Sequence, residues 1–439
     1  MFTRIRYLTW KAGLLANIIS LLAVTIVQAA PGDLDSTFDG DGMVTSYASP
    51  SSPGRNDLAW GVALQTNGKI VIAGYSFANA ATSDFAVLRY NPNGSLDSVF
   101  SGDGRLMTNF GGRDQAYEVA IQSDGKIVVT GETCNSTTDI CDVALARYKA
   151  GGSLDTTFSG DGKQTTDFGG NDNGSFGGLA IQSNGGIVVA GYMWSGTDYD
   201  FAVYRYLSNG DLDTTFSGDG KARFGFGTGR QDFATDLVIQ SDGKIVVSGH
   251  SGDANFDNVN FAVARLNPDG TLDKTFSGDG KQTTNFGANE FSYNVALQTD
   301  GKIVLGGQKS TASLSSAALA RYNTDGSPDT TFNGTGRKVF SLLANRNSWV
   351  EGLVVQSDGK IVVMGSTVNG SNALDFFLVR LQTGGGFDTT FSGDGKVTVD
   401  FGNDEYAGDL VLQGNGRYVL GGYTRDSIQS DFAVARVLP

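Results

Sequence analysis

Apolar residues in this chain come in short runs, each closed by glycine, asparagine or aspartate, and none recurs with helical spacing after the first thirty positions. Ile127-Val128-Val129 is apolar on successive residues, the pattern of a strand buried on both faces. It follows Asp124-Gly125, and Val119-Ala120-Ile121 stands before that pair. The stretch therefore predicts a hairpin in which Asp-Gly supplies the positive φ angles of the turn. The segment DVALARY at 142–148 and the shorter KQTTDF at 163–168 predict two further strands.

The same set of strands recurs around the chain. The ten letters LDTTFSGDGK at 154–163 return at 212–221, with close copies beginning at 34, 96, 272, 328 and 387, in steps of 56 to 62 residues. Phrases such as IQSDGKIVVTG at 121 and DFAVARV at 431 march in register with them. Seven units of four short antiparallel strands predict an all-β, seven-bladed β-propeller in one domain, residues 30–439. The chain opens on the outermost strand of a blade, around Met43–Tyr47, and ends at DFAVARVLP with three strands made. The N-terminal strand is thus expected to complete the last blade and close the ring, leaving no open edge.

These phrases resemble the bacterial delta-60 repeat family, a β-propeller family of unknown function. The resemblance covers nearly all of residues 30–439 and implies a fold and export, with no activity attached. Departures from the repeated phrase are Pro328 and Thr335 in the sixth copy, Phe387 in the seventh, and Gly186 where lysine usually stands.

Every unit places an aspartate in the crossing from its third strand to its fourth: Asp35, Asp97, Asp155, Asp213, Asp273, Asp329 and Asp388. Each also places an arginine in its third strand: Arg89, Arg147, Arg205, Arg265, Arg321, Arg380 and Arg436. Each arginine is expected to meet the aspartate that follows it, with the phenylalanine of the phrase plugging the gap between blades. A calcium reading of the glycine-rich phrase fails the helix–loop–helix spacing. Counting from Asn267, position six is Leu272 where glycine is needed; from Asp39, position twelve is Pro50. No cofactor is expected, and calcium in some other geometry stays open.

What the units do not share marks the binding face. The hairpin turns and LDTTF crossings lie on one face of the disc, and two variable loop sets lie on the other. Near the channel mouth these carry Trp60, Tyr117, Phe176, Phe233, Tyr293, Trp349 and Tyr406, together with Asp57, Asp114, Asp172, Asp232, Glu290 and Asp404. Aromatic faces and carboxylates suit a sugar, a cationic peptide or a metal. The plainer alternative is that the acids cap loop amides and the aromatics fill gaps between blades.

A net charge of −14 excludes the usual footprint of a nucleic-acid binder. Arg4, Arg6 and Lys11, the apolar run from Leu14 to Val27 and Val27-Gln28-Ala29 have the layout of a secretory signal peptide over residues 1–29. Export to the periplasm or outside the cell, no membrane span after cleavage, and a Cys134–Cys141 disulfide follow as expectations. The one histidine, His250, occupies a position that tolerates many residue types, and no nucleophile elbow or HExxH motif occurs. The expected function is a monomeric, non-enzymatic scaffold that binds a protein or glycan. The competing readings are a polysaccharide-acting enzyme using acids such as Asp114 and Asp232, and a purely structural surface protein with calcium-rigidified turns.

Overall fold

A computed structural model describes residues 29–49, 55–79, 82–135, 137–138, 140–167 and 178–439, so the expected signal peptide lies outside the described residues apart from Ala29. Seven four-stranded antiparallel sheets form, each in simple sequential order except one, and they are the blades of a seven-bladed β-propeller. Blade one runs Asp57–Leu64, Ile70–Asn79, Thr82–Tyr90 and Arg105–Thr108 from the axis outward. Blade seven combines Asp404–Leu412, Tyr418–Arg425 and Ser430–Val437 with the N-terminal strand Met43–Ser46 on its outer edge. Met43 pairs with Ala435 and Ser46 with Phe432, so strand addition closes the ring.

The middle strands are buried on both faces because each blade packs against two neighbours. One core cluster joins Val71, Phe85 and Val87 of blade one to Val119, Ile127 and Val129 of blade two. The apolar core is therefore divided among the seams between blades, where removal of apolar surface from water stabilises the ring. Cys134 and Cys141 form a disulfide between the second and third strands of blade two. Among the described residues, no helix is long and apolar enough to cross a membrane.

The repeated crossing works as a latch from blade to blade. In all seven units the arginine Nε meets the aspartate at 2.7–2.9 Å. The guanidinium stacks over the phenylalanine of the same phrase at 4.5–4.9 Å. The next residue of the phrase donates its amide to a turn of the following blade: Ser159 to the Asn209 carbonyl at 2.8 Å, Ser217 to Asp269 at 2.7 Å. Arg147 adds a hydrogen bond to the Ser208 carbonyl of that blade. Local turn, buried ion pair and interblade contact thus all come from the short stretch between the third-strand arginine and the end of the crossing.

The hairpin turn differs from the expected one. Gly125 has φ +82°, but Asp124 is not left-handed. The loop spans five residues, with Gln122 N–H bonded to Lys126 O and Gly125 N–H to Gln122 O. A type I turn followed by one left-handed residue satisfies that length, so only glycine needs positive φ. Asp124 instead accepts the Lys126 amide at 3.1 Å.

Candidate functional site

The innermost strand of a blade has a hydrogen-bonding partner on one side and the central channel on the other. In six blades its register slips by one residue, as between Ala116 and Glu118 or Ala234 and Asp236. Such a bulge re-aims side chains. Here it presents Trp60, Tyr117 with Glu118, Thr235 with Asp236, Tyr293 with Asn294, Glu351, and Gly408 with Asp409 to a cavity of about 650 Å³ on the channel. Tyr192, Phe233, His250 and Phe291 also line it.

Four carboxylates stand in this wall, and sequence reasoning missed all of them. Asp236 accepts the Leu237 amide at 2.7 Å and the Val295 amide of blade five at 2.8 Å. Asp409 accepts Leu410 at 2.7 Å and reaches Val62 of blade one at 3.4 Å. Glu118 accepts the Val119 amide, and Glu351 the Ser366 hydroxyl. Burial pushes Asp236 up to about 7 and Glu351 up to about 8. Glu118 is raised by burial and then by the charges of Asp409 and Asp236. The channel therefore holds carboxyl groups that are partly protonated at neutral pH and can both donate and accept.

The acids expected at the channel mouth stand elsewhere. Asp57, Asp114, Asp232 and Glu290 are buried at one equivalent position, where they cap loop amides. Ala48 N–H meets Asp57 at 2.6 Å, Phe226 meets Asp232 at 2.6 Å, Ala288 meets Glu290 at 2.7 Å, and Phe110 bonds to Asp114. In blade seven that position belongs to Glu405; Asp404, one residue earlier, accepts the Leu374 amide at 2.9 Å. Asp172 and Phe176 lie outside the described residues.

The aromatics divide by register. Trp60, Tyr117 and Tyr293 sit at the bulge, whereas Phe233, Trp349 and Tyr406 sit two positions earlier, opposite His250, Ser366 and Tyr423. Tyr406 stacks on Tyr423 at 4.8 Å, and Trp349 lies against Glu351. Of the second-strand residues, Tyr192 and His250 line the cavity, while Tyr75 packs on Tyr117 and Tyr423 on Trp60 beside it. Four of the seven blades carry a ring at this position, against Glu132, Gln308 and Ser366 in the others, and that bias was the signal that could have found them.

A continuous series of ring contacts leaves the cavity across blades three to five. Phe233 touches Tyr192 at 4.5 Å and His250 at 5.6 Å; Tyr192 touches Tyr199 at 5.5 Å, and Tyr199 touches Trp194 at 5.1 Å. Phe256 packs on Phe233 at 5.2 Å. Trp194 and Phe256 are each 36% exposed, so both ends of the track reach solvent. Burial pushes His250 down to about 4, leaving a neutral imidazole as part of the aromatic wall.

A family described as a beta-propeller domain of unknown function, DUF5122, matches residues 65–100, 122–158, 182–216, 240–276, 298–332 and 356–391. No curated protein matches the chain. Among solved structures, the polysaccharide lyase Uly1 is similar, with 11% identity, a TM-score of 0.52, and coverage of 86% of this chain and 89% of that one. A protein of unknown function from Dyadobacter fermentans has 10% identity and a TM-score of 0.49 over 90% and 98% of the two chains. The α-L-arabinofuranosidase Arb93A of Fusarium graminearum has 7% identity and a TM-score of 0.46 over 90% and 97%. At these identities the likeness concerns the fold alone.

Proposed function

The chain belongs to the DUF5122 beta-propeller family, and on that premise we propose that it is an exported, non-enzymatic binding propeller that takes an oligosaccharide in the channel funnel. The observation that carries this reading is the aromatic track, which runs from exposed Trp194 and Phe256 into the 650 Å³ cavity. Sugar rings offer apolar C–H faces to aromatic side chains and hydroxyls to groups that can donate or accept. Partly protonated Asp236 and Glu351 are such groups, and their acidity disfavours phosphorylated ligands. Export rests on the N-terminal leader pattern and the Cys134–Cys141 disulfide.

The test is a panel of neutral and amino-bearing oligosaccharides titrated into residues 30–439, followed by tryptophan fluorescence. One class is expected to bind, and Tyr192→Ala or Phe233→Ala to weaken it by about tenfold or more, roughly 1.4 kcal/mol. Absence of binding across the panel, or indifference to both variants, would sink the reading. A polysaccharide-acting enzyme is the second reading, favoured by one observation: carboxyl groups with raised pKa sit in a ligand-sized cavity. It would act through Glu118 and Asp236, since Asp114 and Asp232 are sealed in as amide caps. Release of new sugar ends during the same titrations would decide for it.

A further inference from the structure

The seams between blades serve as controls for one another. At the variable face each seam brings together three equivalent positions: the residue before the paired part of the third strand, the residue after the fourth strand, and the amide-capping residue of the next blade. Between blades five and six they are Ser316, Ser341 and Ser348. Between four and five they are Asn260, Asn285 and Glu290, with Lys309 close by. Between one and two they are Asp84, Asn109 and Asp114, where Asn109 donates to Asp84. Between three and four they are Asp200, Gly225 and Asp232, and Arg223 approaches Asp200 at 3.6 Å. Each of these seams contains a neutral residue, and two of them also contain a base.

Between two and three the first two positions are both acidic, Asp142 and Asp167, and the third lies outside the described residues. Between six and seven all three positions are acidic. They are Asp375, Asp400 and Glu405, and one oxygen from each lies within 4.8 Å of the others. Among the described residues, none of the three has a lysine or arginine in ion-pair contact. Each carboxylate has one oxygen tied down: Asp375 Oδ1 accepts from Asn369 at 2.7 Å, Asp400 Oδ1 from the Gly402 amide at 2.6 Å, and Glu405 Oε1 from Asn403 at 3.1 Å and Thr424 at 3.2 Å. Glu405 is fully buried; the Phe401 amide also reaches its carboxylate, and Oε2, like the matching oxygens of Asp57, Asp232 and Glu290, has no well-aligned partner. A buried carboxylate oxygen without a partner is costly, and here it belongs to a group shared with two further acids.

The geometry points to a calcium ion bound at the seam of blades six and seven by Asp375, Asp400 and Glu405. The donors are all hard oxygens, which selects calcium or magnesium over thiol- and imidazole-seeking metals. Ligand distances of about 2.3–2.6 Å let one calcium ion bridge oxygens this far apart without rearrangement. Asp375 and Glu405 are buried while Asp400 is exposed, so the ion has a route in and room for water on its outer side. Bound there, it ties the third strand of blade six and the residue that follows its fourth strand to the innermost strand of blade seven. None of its ligands lines the channel cavity, so the proposal stands apart from the oligosaccharide reading.

Calorimetric titration of chelator-treated protein, residues 30–439, with calcium chloride alone tests it, with magnesium chloride as comparison. One calcium per chain is expected, with a higher thermal midpoint in calcium than in chelator. Asp400→Asn and Asp375→Asn should each weaken binding by about tenfold or more. In chelator, Asp400→Asn should melt no lower than the parent, because it removes one of three mutually repelling carboxylates. That arm shows the variant is folded. Absence of calcium binding to the parent, or unchanged binding in both variants, overturns the site.

Discussion

Asp155 shows how much one residue of the repeated phrase accomplishes. It is 1% exposed, accepts Arg147 Nε at 2.9 Å, and bonds to the Thr157 hydroxyl at 2.8 Å. Burial opposes its ionisation, but Thr157, Arg147 and Lys126 outweigh burial and hold the carboxyl below its ordinary range. Removing it strands Arg147, itself 3% exposed, without its counter-charge. Asp155→Ala should therefore lower stability by about 3 kcal/mol in urea unfolding, the usual cost of breaking a buried pair from one side. A loss below about 1 kcal/mol, the range of an exposed pair, would show the latch to be dispensable. Lys126 also approaches Asp155 at 3.4 Å, so Lys126→Ala gives a milder version of the same measurement.

At the scale of elements, the N-terminal strand Met43–Ser46 has the largest consequence. It covers the outer edge of Ser430–Val437, and Asp35, upstream of it, is the counter-charge of Arg436 at 2.8 Å. A chain beginning after residue 48 leaves both an open strand edge and an unpaired buried arginine. Light scattering should then report association of chains, and thermal unfolding should lose its single sharp transition. A peptide of residues 30–49 added in trans should restore a monodisperse species. A truncated chain that stays monomeric and melts cooperatively would show that the ring closes without the strand.

The whole molecule carries two opposed sets of carboxylates, and together they set its pH response. The latch aspartates have lowered folded pKa values, so their contribution is present above the unfolded value near 3.8 and is lost as pH falls through the folded pKa. Asp236 and Glu351 are raised to about 7 and about 8, so the folded state holds their protons where the unfolded chain has released them. Their contribution is complete below the unfolded values and is lost as pH rises through the folded ones. His250, lowered to about 4, adds its own slope only below its unfolded value near 6.5. Between about pH 6.5 and 8 only the raised acids act, and the thermal midpoint should fall across that window. Asp236→Asn and Glu351→Gln should flatten the fall; a midpoint that rises toward pH 8 would contradict the protonated channel.

The sequence by itself determined the repeat, the number of blades, the closure by the N-terminal strand and the latch partners. Each of these depends on local periodicity or on residues a fixed distance apart in the same unit, which a single chain displays openly. The turn was half legible: Gly125 was needed, but whether Asp124 also turned left-handed depended on the loop length between paired strands. The channel wall was decided by tertiary structure. A one-residue bulge in the innermost strand sets which of Tyr117, Glu118 and their neighbours line the channel, and a bulge leaves no mark in hydrophobic alternation. That slip presents Glu118, Asp236 and Asp409 to the cavity, while Asp114 and Asp232 point into the loop amides instead. The acidic seam of Asp375, Asp400 and Glu405 was equally hidden, because its members come from two blades and meet only when the ring is built.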